Sequence, residues 1–89
     1  MGVGRYEVQI LPSARKVVDR LPTAIRERVE AAIAALADQP RPRGSKKLKD
    51  ADDTYRIRVG DYRVIYRIFD EALVVIIVKV GDRKDVYRS

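Results

Sequence analysis

The feature that most constrains the fold is an uninterrupted apolar run at residues 72–78, Ala-Leu-Val-Val-Ile-Ile-Val. Most of its side chains are β-branched, which favours a strand over a helix. Because no polar residue breaks the run, it predicts a central strand with both faces covered. The run is far shorter than the roughly 20 residues that span a bilayer, and no leader-like pattern precedes it. We therefore expect a cytosolic protein built around this strand.

Two segments before this run alternate between apolar and polar residues with the period of a strand. Residues 55–59 alternate first, and residues 62–69 repeat the pattern after Gly60-Asp61, a pair suited to a tight hairpin turn. Asp70-Glu71 provides a second turn before the apolar run. Together the three segments predict an antiparallel meander.

The first part of the chain predicts one strand followed by two helices. Residues 5–10 alternate as a half-buried strand does. Ser13 is a candidate cap for a short helix, and Thr23 is a candidate cap for a second helix over residues 24–38. Apolar residues recur at three- and four-residue steps in both, as on the buried face of a helix. A tight turn predicts an antiparallel helical hairpin.

The predicted order is therefore β-α-α-β-β-β, an α+β domain occupying residues 1–89. The first strand is expected to pair with the central apolar strand. This arrangement gives one four-stranded, mainly antiparallel sheet, with the helices covering one of its faces.

The composition restricts the chemistry that the chain can perform. It has no histidine and no cysteine, so the commonest zinc ligands and the commonest neutral-pH base are missing. We predict no metal and no cofactor, and any catalysis must use carboxylates, tyrosine, lysine or arginine. The net charge of +6 indicates an anionic partner, either nucleic acid or an acidic protein. A basic surface without such a partner is the simpler alternative.

Three arginines of the predicted hairpin are candidates for one phosphate site. Arg56 and Arg58 share a strand face, and Arg63 lies just past the turn. Like charges on neighbouring strands repel, whereas a phosphate would hold them together, because guanidinium groups donate paired hydrogen bonds to it. The alternative is a solvated sheet face whose arginines pair with nearby carboxylates, namely Asp52, Asp53, Asp61 or Asp70.

Tyr87 and Arg83 follow the apolar run and are further candidates. Tyr87 could stack on an unpaired base, act as a base if nearby guanidinium groups lower its pKa, or simply pack. Tyr55, Tyr62 and Tyr66 share their strand faces with Ile and Val, so we interpret them mostly as core.

A long connection at residues 39–53 carries basic residues that could follow an RNA backbone. Such contacts position a nucleic acid without reading its sequence. A mobile solvated loop is the competing interpretation. The predicted RNA-binding residues in this loop are Arg43, Lys46, Lys47 and Lys49.

The chain resembles the RelE family within the RelE/ParE superfamily, in three segments that cover nearly its whole length. The opening Tyr6-Glu-Val-Gln-Ile-Leu-Pro-Ser-Ala14 resembles the family's first strand and helix entry. Lys47-Leu-Lys49, followed by Thr54-Tyr-Arg-Ile-Arg-Val-Gly-Asp-Tyr-Arg-Val-Ile-Tyr-Arg67, resembles its hairpin. Val80-Gly-Asp-Arg-Lys-Asp-Val-Tyr-Arg88 resembles its closing motif.

The resemblance implies a toxin of a toxin–antitoxin pair that enters the ribosomal decoding site and cuts messenger RNA. The implied reaction is metal-free: the ribose 2′-hydroxyl attacks the adjacent phosphate and leaves a cyclic phosphate. By position, Arg56 and Arg58 match the family's basic pair, and Arg63 matches an arginine on the scissile phosphate. Arg83 matches an arginine that stabilises the transition state or the leaving group. Tyr87 matches a tyrosine that stacks on a base or assists proton transfer. The implied partner is a small RelB-like antitoxin that wraps the toxin in a hetero-oligomer.

Two departures from the family pattern change these expectations. Several relatives carry lysine at the positions of Arg56 and Arg58, and arginine effectively cannot shed a proton. We therefore expect these two residues to bind phosphate rather than to act as a base. Asp82 stands where many members have histidine or lysine, which predicts weaker RNA binding or a pairing with Arg83.

Two other functions compete with ribosome-dependent cleavage. The first is gyrase poisoning, the activity of ParE relatives that lack the arginine–tyrosine set, so Arg63, Arg83 and Tyr87 argue against it. The second is a non-cleaving basic module that binds nucleic acid or protein.

Overall fold

The computed structural model describes residues 5–49 and 52–82 of the chain. The predicted order of one strand, two helices and three strands is confirmed, with one short strand added after the helices. The elements in chain order are β1 (Glu7–Ile10), α1 (Pro12–Asp19), α2 (Thr23–Ala35), β2 (Lys46–Lys47), β3 (Thr54–Val59), β4 (Tyr62–Phe69) and β5 (Val74–Asp82).

The strands form one mixed sheet in the order β1-β5-β4-β3-β2. β1 lies parallel to β5, as expected for the first strand beside the apolar one, and the remaining neighbours are antiparallel. The prediction of four strands was wrong, because β2 adds a fifth at the edge of β3. Two lysines carry no alternating pattern, so this strand exists only through its pairing with β3.

β5 is shifted along the chain from the predicted run at residues 72–78. Ala72 and Leu73 belong to the turn, where Leu73 has a φ of 56°. Pairing with β4 then extends the strand through Gly81 to Asp82. The helices cover one face of β5, whereas the side chains on its other face stay half-buried. The expectation that both faces are covered was therefore wrong for this sheet.

Both helices begin earlier than their candidate caps suggest, α1 by two positions and α2 by one. Leu11 precedes α1 and Pro22 precedes α2, and neither makes a capping bond with its side chain. Ser13 and Thr23 therefore lie inside their helices. The second helix also ends at Ala35 rather than at residue 38, and the chain turns over residues 36–38.

The core lies between the helices and the sheet. Val18 of α1 and Val29 of α2 are fully buried against the sheet. Burial of each such side chain contributes about 1.5–3 kcal/mol relative to exposure. The sheet contributes the other half of the core with Ile57, Val59, Val64, Tyr66, Ile68, Val75, Ile77 and Val80. In the described ranges, neither helix is long and apolar enough to cross a membrane.

Candidate functional site

The hairpin of β3 and β4 places two of the predicted arginines directly opposite each other. Arg58 pairs with Arg63 across the strands, just before and after the turn at residues 60–61. Gly60 makes this turn with a φ of 58°, a conformation that glycine adopts without steric cost. The neighbouring pair Ile57 and Val64 faces the core. Strand alternation therefore directs both arginines to the opposite side of the sheet.

We call this side, which lies away from the helices, the open face. It carries Arg56, Arg58 and Arg63, so the structure brings the three predicted hairpin arginines to one surface. Their exposure differs: Arg58 is exposed, Arg56 is half-buried and Arg63 is only 8% exposed. A guanidinium held by its surroundings loses less side-chain freedom on binding an anion. Arg63 is thus preorganised, while Arg58 is the accessible member of the pair.

A basic groove of about 340 Å³ adjoins the open face. The strand β2 forms one of its sides, because Lys46 pairs with Arg56. Two residues from the predicted RNA-binding loop therefore lie beside two of the predicted catalytic residues. The groove is lined by Arg43, Gly44, Lys46, Arg56, Ile57 and Arg58.

The other two predicted RNA-binding lysines lie outside this groove. Lys47 is the cross-strand partner of Tyr55, on the side opposite to Lys46. Lys49 is exposed in the turn after β2. The structure thus separates the predicted set into two groove residues and two flanking lysines.

Arg83 and Tyr87 lie outside the described residues. Asp82, the residue before Arg83, pairs with Tyr62 at the start of β4, and Gly81 pairs with Arg63. The described chain therefore stops at the same end of the sheet as the Arg58–Arg63 pair.

Two further cations on the open face were not among the predicted site residues. Arg67 follows Arg63 by four positions on β4, so the strand period alone could have identified it. Lys79 has no such signal. It reaches the open face opposite Ile65 because β5 bulges at Val78, which shifts the register with β4 between Ile65 and Tyr66. Without that bulge, Lys79 would follow the buried side of Val75 and Ile77.

In the alternative interpretation the hairpin arginines pair with carboxylates such as Asp70, but among the described residues no such pairing with Asp70 is observed. Asp70 instead binds Arg41, which holds both carboxylate oxygens, at 3.2 Å through Nη1 and 2.8 Å through Nη2. The Tyr6 hydroxyl donates to the same carboxylate at 2.6 Å. Hydrogen bonds from Arg41 and Tyr6 lower the pKa of Asp70 from 3.8 to about 2.

Tyr66 is a core residue, as predicted, although its hydroxyl reaches the polar edge of the core. It donates to the Pro40 carbonyl at 2.8 Å, and burial raises its pKa to about 12. At neutral pH it therefore stays a protonated donor. Tyr55 is half-buried and its ring stacks on that of Tyr66, with centroids 6.2 Å apart.

A larger cavity of about 500 Å³ lies at the opposite end of the sheet. Asp53, Asp70 and Glu71 line it, so its charge disfavours phosphate. Carboxylates thus line the cavity at this end of the strands, whereas the arginine pair lies at the other end, where Asp61 and Asp82 are also found. The basic end is the better candidate for binding an anion.

The sequence is similar to those of known toxins. Residues 8–87 match the family described as ParE toxin of type II toxin–antitoxin system, parDE. Toxin RelG of Mycobacterium tuberculosis is 36% identical over 84 residues, covering 93% of this chain and 97% of that protein. The mRNA interferase toxin RelE of Escherichia coli K12 is 31% identical over 72 residues, covering 76% of this chain and 75% of RelE.

The fold also matches a solved structure. The archaeal RelE–RelB complex from Pyrococcus horikoshii contains a chain that superposes with a TM-score of 0.81. The two sequences are 33% identical, and the match covers 96% of this chain and 99% of that one. The fold is therefore shared with a RelE toxin over nearly the whole chain. This chain belongs to the RelE/ParE family of toxins of type II toxin–antitoxin systems.

Proposed function

We propose that this toxin is a ribosome-dependent endoribonuclease that cuts messenger RNA and thereby stops translation. The observation that carries the proposal is the Arg58–Arg63 cross-strand pair on the open face, continuous with the basic groove. Gathering like charges in this way costs stability, and a bound phosphate offsets that cost. The relative from E. coli K12 is named an mRNA interferase, which supports the same reaction class.

The reaction is an attack by the ribose 2′-oxygen on the adjacent phosphorus. The 2′-hydroxyl loses its proton, the bond from phosphorus to the 5′-oxygen breaks, and that oxygen takes up a proton. The products are a 2′,3′-cyclic phosphate and a 5′-hydroxyl end. Negative charge grows on the nonbridging oxygens, so preplaced cations stabilise the transition state more than the substrate.

The arginines act in this scheme as phosphate ligands. Arg63 is held in place and contacts the scissile phosphate, while Arg58 and Arg56 reach it from β3. Arginine keeps its proton at any usable pH, so Arg56 and Arg58 stabilise charge and do not act as the base. Arg83 stabilises the transition state or the leaving group, and Tyr87 stacks on a base or assists proton transfer. These are the proposed catalytic residues, and no metal takes part.

The basic groove holds the RNA strand beside the reacting phosphate. Arg43 and Lys46 line it, and Lys47 and Lys49 add positive charge outside it. Contacts of this kind bind the backbone of any sequence and weaken as salt increases. The toxin therefore depends on the ribosome to present the messenger in a suitable geometry.

The partner in this proposal is a small RelB-like antitoxin, which binds the toxin in a hetero-oligomer and blocks it. Relatives of this chain were solved as RelE–RelB complexes from three organisms. In the proposal, the single domain of residues 1–89 acts in the cytoplasm, where ribosomes and messengers are found. Co-purification with the product of a neighbouring gene tests this pairing directly.

Induction of the toxin alone tests the enzymatic activity. We expect growth arrest, loss of protein synthesis and new messenger 5′ ends inside translated codons. The double variant Arg83→Ala/Tyr87→Phe should abolish these ends without unfolding the protein. Arg5→Ala, which removes one exposed positive charge beside Asp38 and away from the groove, is the matched control. Unchanged messenger ends in induced cells, or full toxicity of the double variant, would refute the nuclease.

Gyrase poisoning is the second candidate, because the matching family is described by its ParE members. It predicts DNA breaks that depend on gyrase and messenger ends that do not change on induction. A non-cleaving binding module would produce neither change, although it would still bind RNA or protein.

A further inference from the structure

The loop between α2 and β2 places Arg43 in the basic groove by means of a tight turn. The Ser45 amide donates to the Pro42 carbonyl at 2.9 Å, and Gly44 has a φ of 93°. Arg43 sits inside this turn and is exposed. Its position therefore depends on how firmly the residues just before the turn are fixed.

Arg41 fixes the loop on one side of the turn through an anchor of four side chains, its own included. Its guanidinium binds both oxygens of Asp70 and donates from Nε to the Tyr55 hydroxyl at 3.0 Å. It also lies 5.1 Å from the centre of the Tyr55 ring. Tyr6 also donates to Asp70, at the same oxygen Oδ1 that accepts from Arg41 Nη1. Arg41, Asp70, Tyr55 and Tyr6 form what we call the Arg41 anchor.

The preceding residue is held as well. The Pro40 carbonyl accepts a hydrogen bond from Tyr66, and Tyr66 stacks on Tyr55. Consecutive residues of the loop are thus tied to β3, β4 and the turn between β4 and β5. Arg41 itself does not line the basic groove, so its charge serves the loop rather than the groove.

An anchor is needed because the groove concentrates positive charge. Arg43 and Lys46 lie beside Arg56 and Arg58, and before RNA binds, these side chains repel one another. Without an attachment, the loop would move Arg43 away from its neighbours. RNA binding would then cost the free energy of returning the loop to the groove. A groove that is already ordered avoids this loss of affinity.

We propose that Asp70 is a positioning residue for RNA binding, acting through Arg41 to keep Arg43 in the basic groove. This inference rests on the proposed function, since it assumes that the groove holds RNA. Asp70 lies at the acidic end of the sheet and lines the cavity there. Its effect on RNA is therefore indirect, and its negative charge by itself weakens RNA binding.

Because of this negative charge, the two explanations predict opposite changes in RNA affinity when Asp70 is replaced. Asp70→Asn removes one negative charge, so long-range electrostatics alone predicts equal or tighter RNA binding. Loss of the anchor predicts the opposite. Asp19→Asn is the matched control, because Asp19 also pairs with an arginine, Arg15, on α1 away from the groove. Both variants change the net charge by the same amount.

The measurement is fluorescence anisotropy of a short 2′-O-methyl RNA, which cannot be cleaved, with the full chain at low salt. We expect Asp70→Asn to weaken RNA binding about three- to tenfold, where a tenfold change in affinity corresponds to about 1.4 kcal/mol. Asp19→Asn should bind equally or more tightly, and Asp70→Glu should recover most of the loss. An Asp70→Asn affinity equal to that of Asp19→Asn would overturn the inference.

A double-mutant cycle with Arg43→Ala distinguishes the positioning role of Asp70 from a merely structural one. If Asp70 acts through Arg43, then Asp70→Asn should cause no further loss once Arg43 is truncated. Additive losses would overturn the inference. Tyr55→Phe removes the acceptor of Arg41 Nε without changing charge, and it should also weaken binding only while Arg43 is present.

Arg58→Thr separates this inference from the proposed function. Unchanged RNA affinity of Arg58→Thr would remove the groove as an RNA site, and the inference would fall with it. Weak binding by Arg58→Thr, combined with normal binding by Asp70→Asn, would overturn the positioning role alone. Melting temperatures measured for every variant identify any loss of binding that comes from unfolding.

Discussion

Arg58 of β3 and Arg63 of β4 are direct cross-strand partners on the face of the sheet that the helices leave uncovered. Directly opposed like charges destabilise a strand pair, and this pair lies next to the tightest turn of the sheet. A polar surface selected for stability alone would place opposite charges at such positions. The pair is therefore best explained by the phosphate it is proposed to bind, at a cost in stability.

This cost can be measured with Arg58→Thr. Removing one charge of the pair and adding a β-branched residue should stabilise the fold by about 0.2–1 kcal/mol. The same variant should lower translation inhibition at least about tenfold, since removing a single transition-state donor commonly costs more than that. Thermal melts and cell-free translation check the two effects. The wild-type gain in melting temperature with added salt should exceed that of Arg58→Thr, because salt screens the repulsion.

Gly60 sets the register that brings the two arginines together. Its φ is 58°, and a Cβ there would lie 3.2 Å from Ile25 Cδ1. Gly60→Ala should therefore lower the free energy of unfolding by about 1–2 kcal/mol, the cost of left-handed backbone for an ordinary residue. Gly60→Asn should lose less, since asparagine tolerates this conformation. Denaturant unfolding checks both variants, and wild-type stability of Gly60→Ala would contradict the argument.

Tyr66→Phe tests the attachment of the loop to the core. The change removes the donor to the Pro40 carbonyl while keeping the buried ring. We expect a loss of about 0.5–1.5 kcal/mol in the free energy of unfolding, the usual net value of such a bond. Tyr62→Phe, on the same strand and half-buried, is the control. Equal stability of the two variants would show that the bond to Pro40 contributes little.

Acid titration tests the Arg41 anchor in the folded state. The pKa of Asp70 falls from 3.8 to about 2 on folding, because Arg41 and Tyr6 donate to its carboxylate. A lowered pKa stabilises the folded state above pH 4, and that contribution disappears as the pH falls from about 4 to about 2. The difference in melting temperature between wild type and Asp70→Asn should therefore shrink over this window. A constant difference between pH 5 and pH 2 would argue against the ion pair.

Local patterns determined much of this protein. The hairpin is defined by the alternation in residues 55–69 and by the turn residues Gly60-Asp61. Both signals are local, because strand period and turn geometry depend on neighbouring residues alone. That same period assigned Arg56 and Arg58 to one face, where the structure places them. The apolar steps of the two helices likewise predicted a buried face on each, and Val18 and Val29 are fully buried in the structure.

Other features depended on residues far apart in the sequence. Pairing with β3 created β2 from two lysines, and the bulge in β5 moved Lys79 to the open face. No local pattern encodes a register shift or a pairing partner, since both are chosen by contacts across the sheet. Local patterns cannot predict side-chain contacts between distant residues either. Arg41 and Asp70 are 29 residues apart, and their ion pair exists only in the folded chain. The sequence by itself thus determined the elements and the charges available, whereas tertiary structure decided which charges meet, because that depends on how distant strands pair.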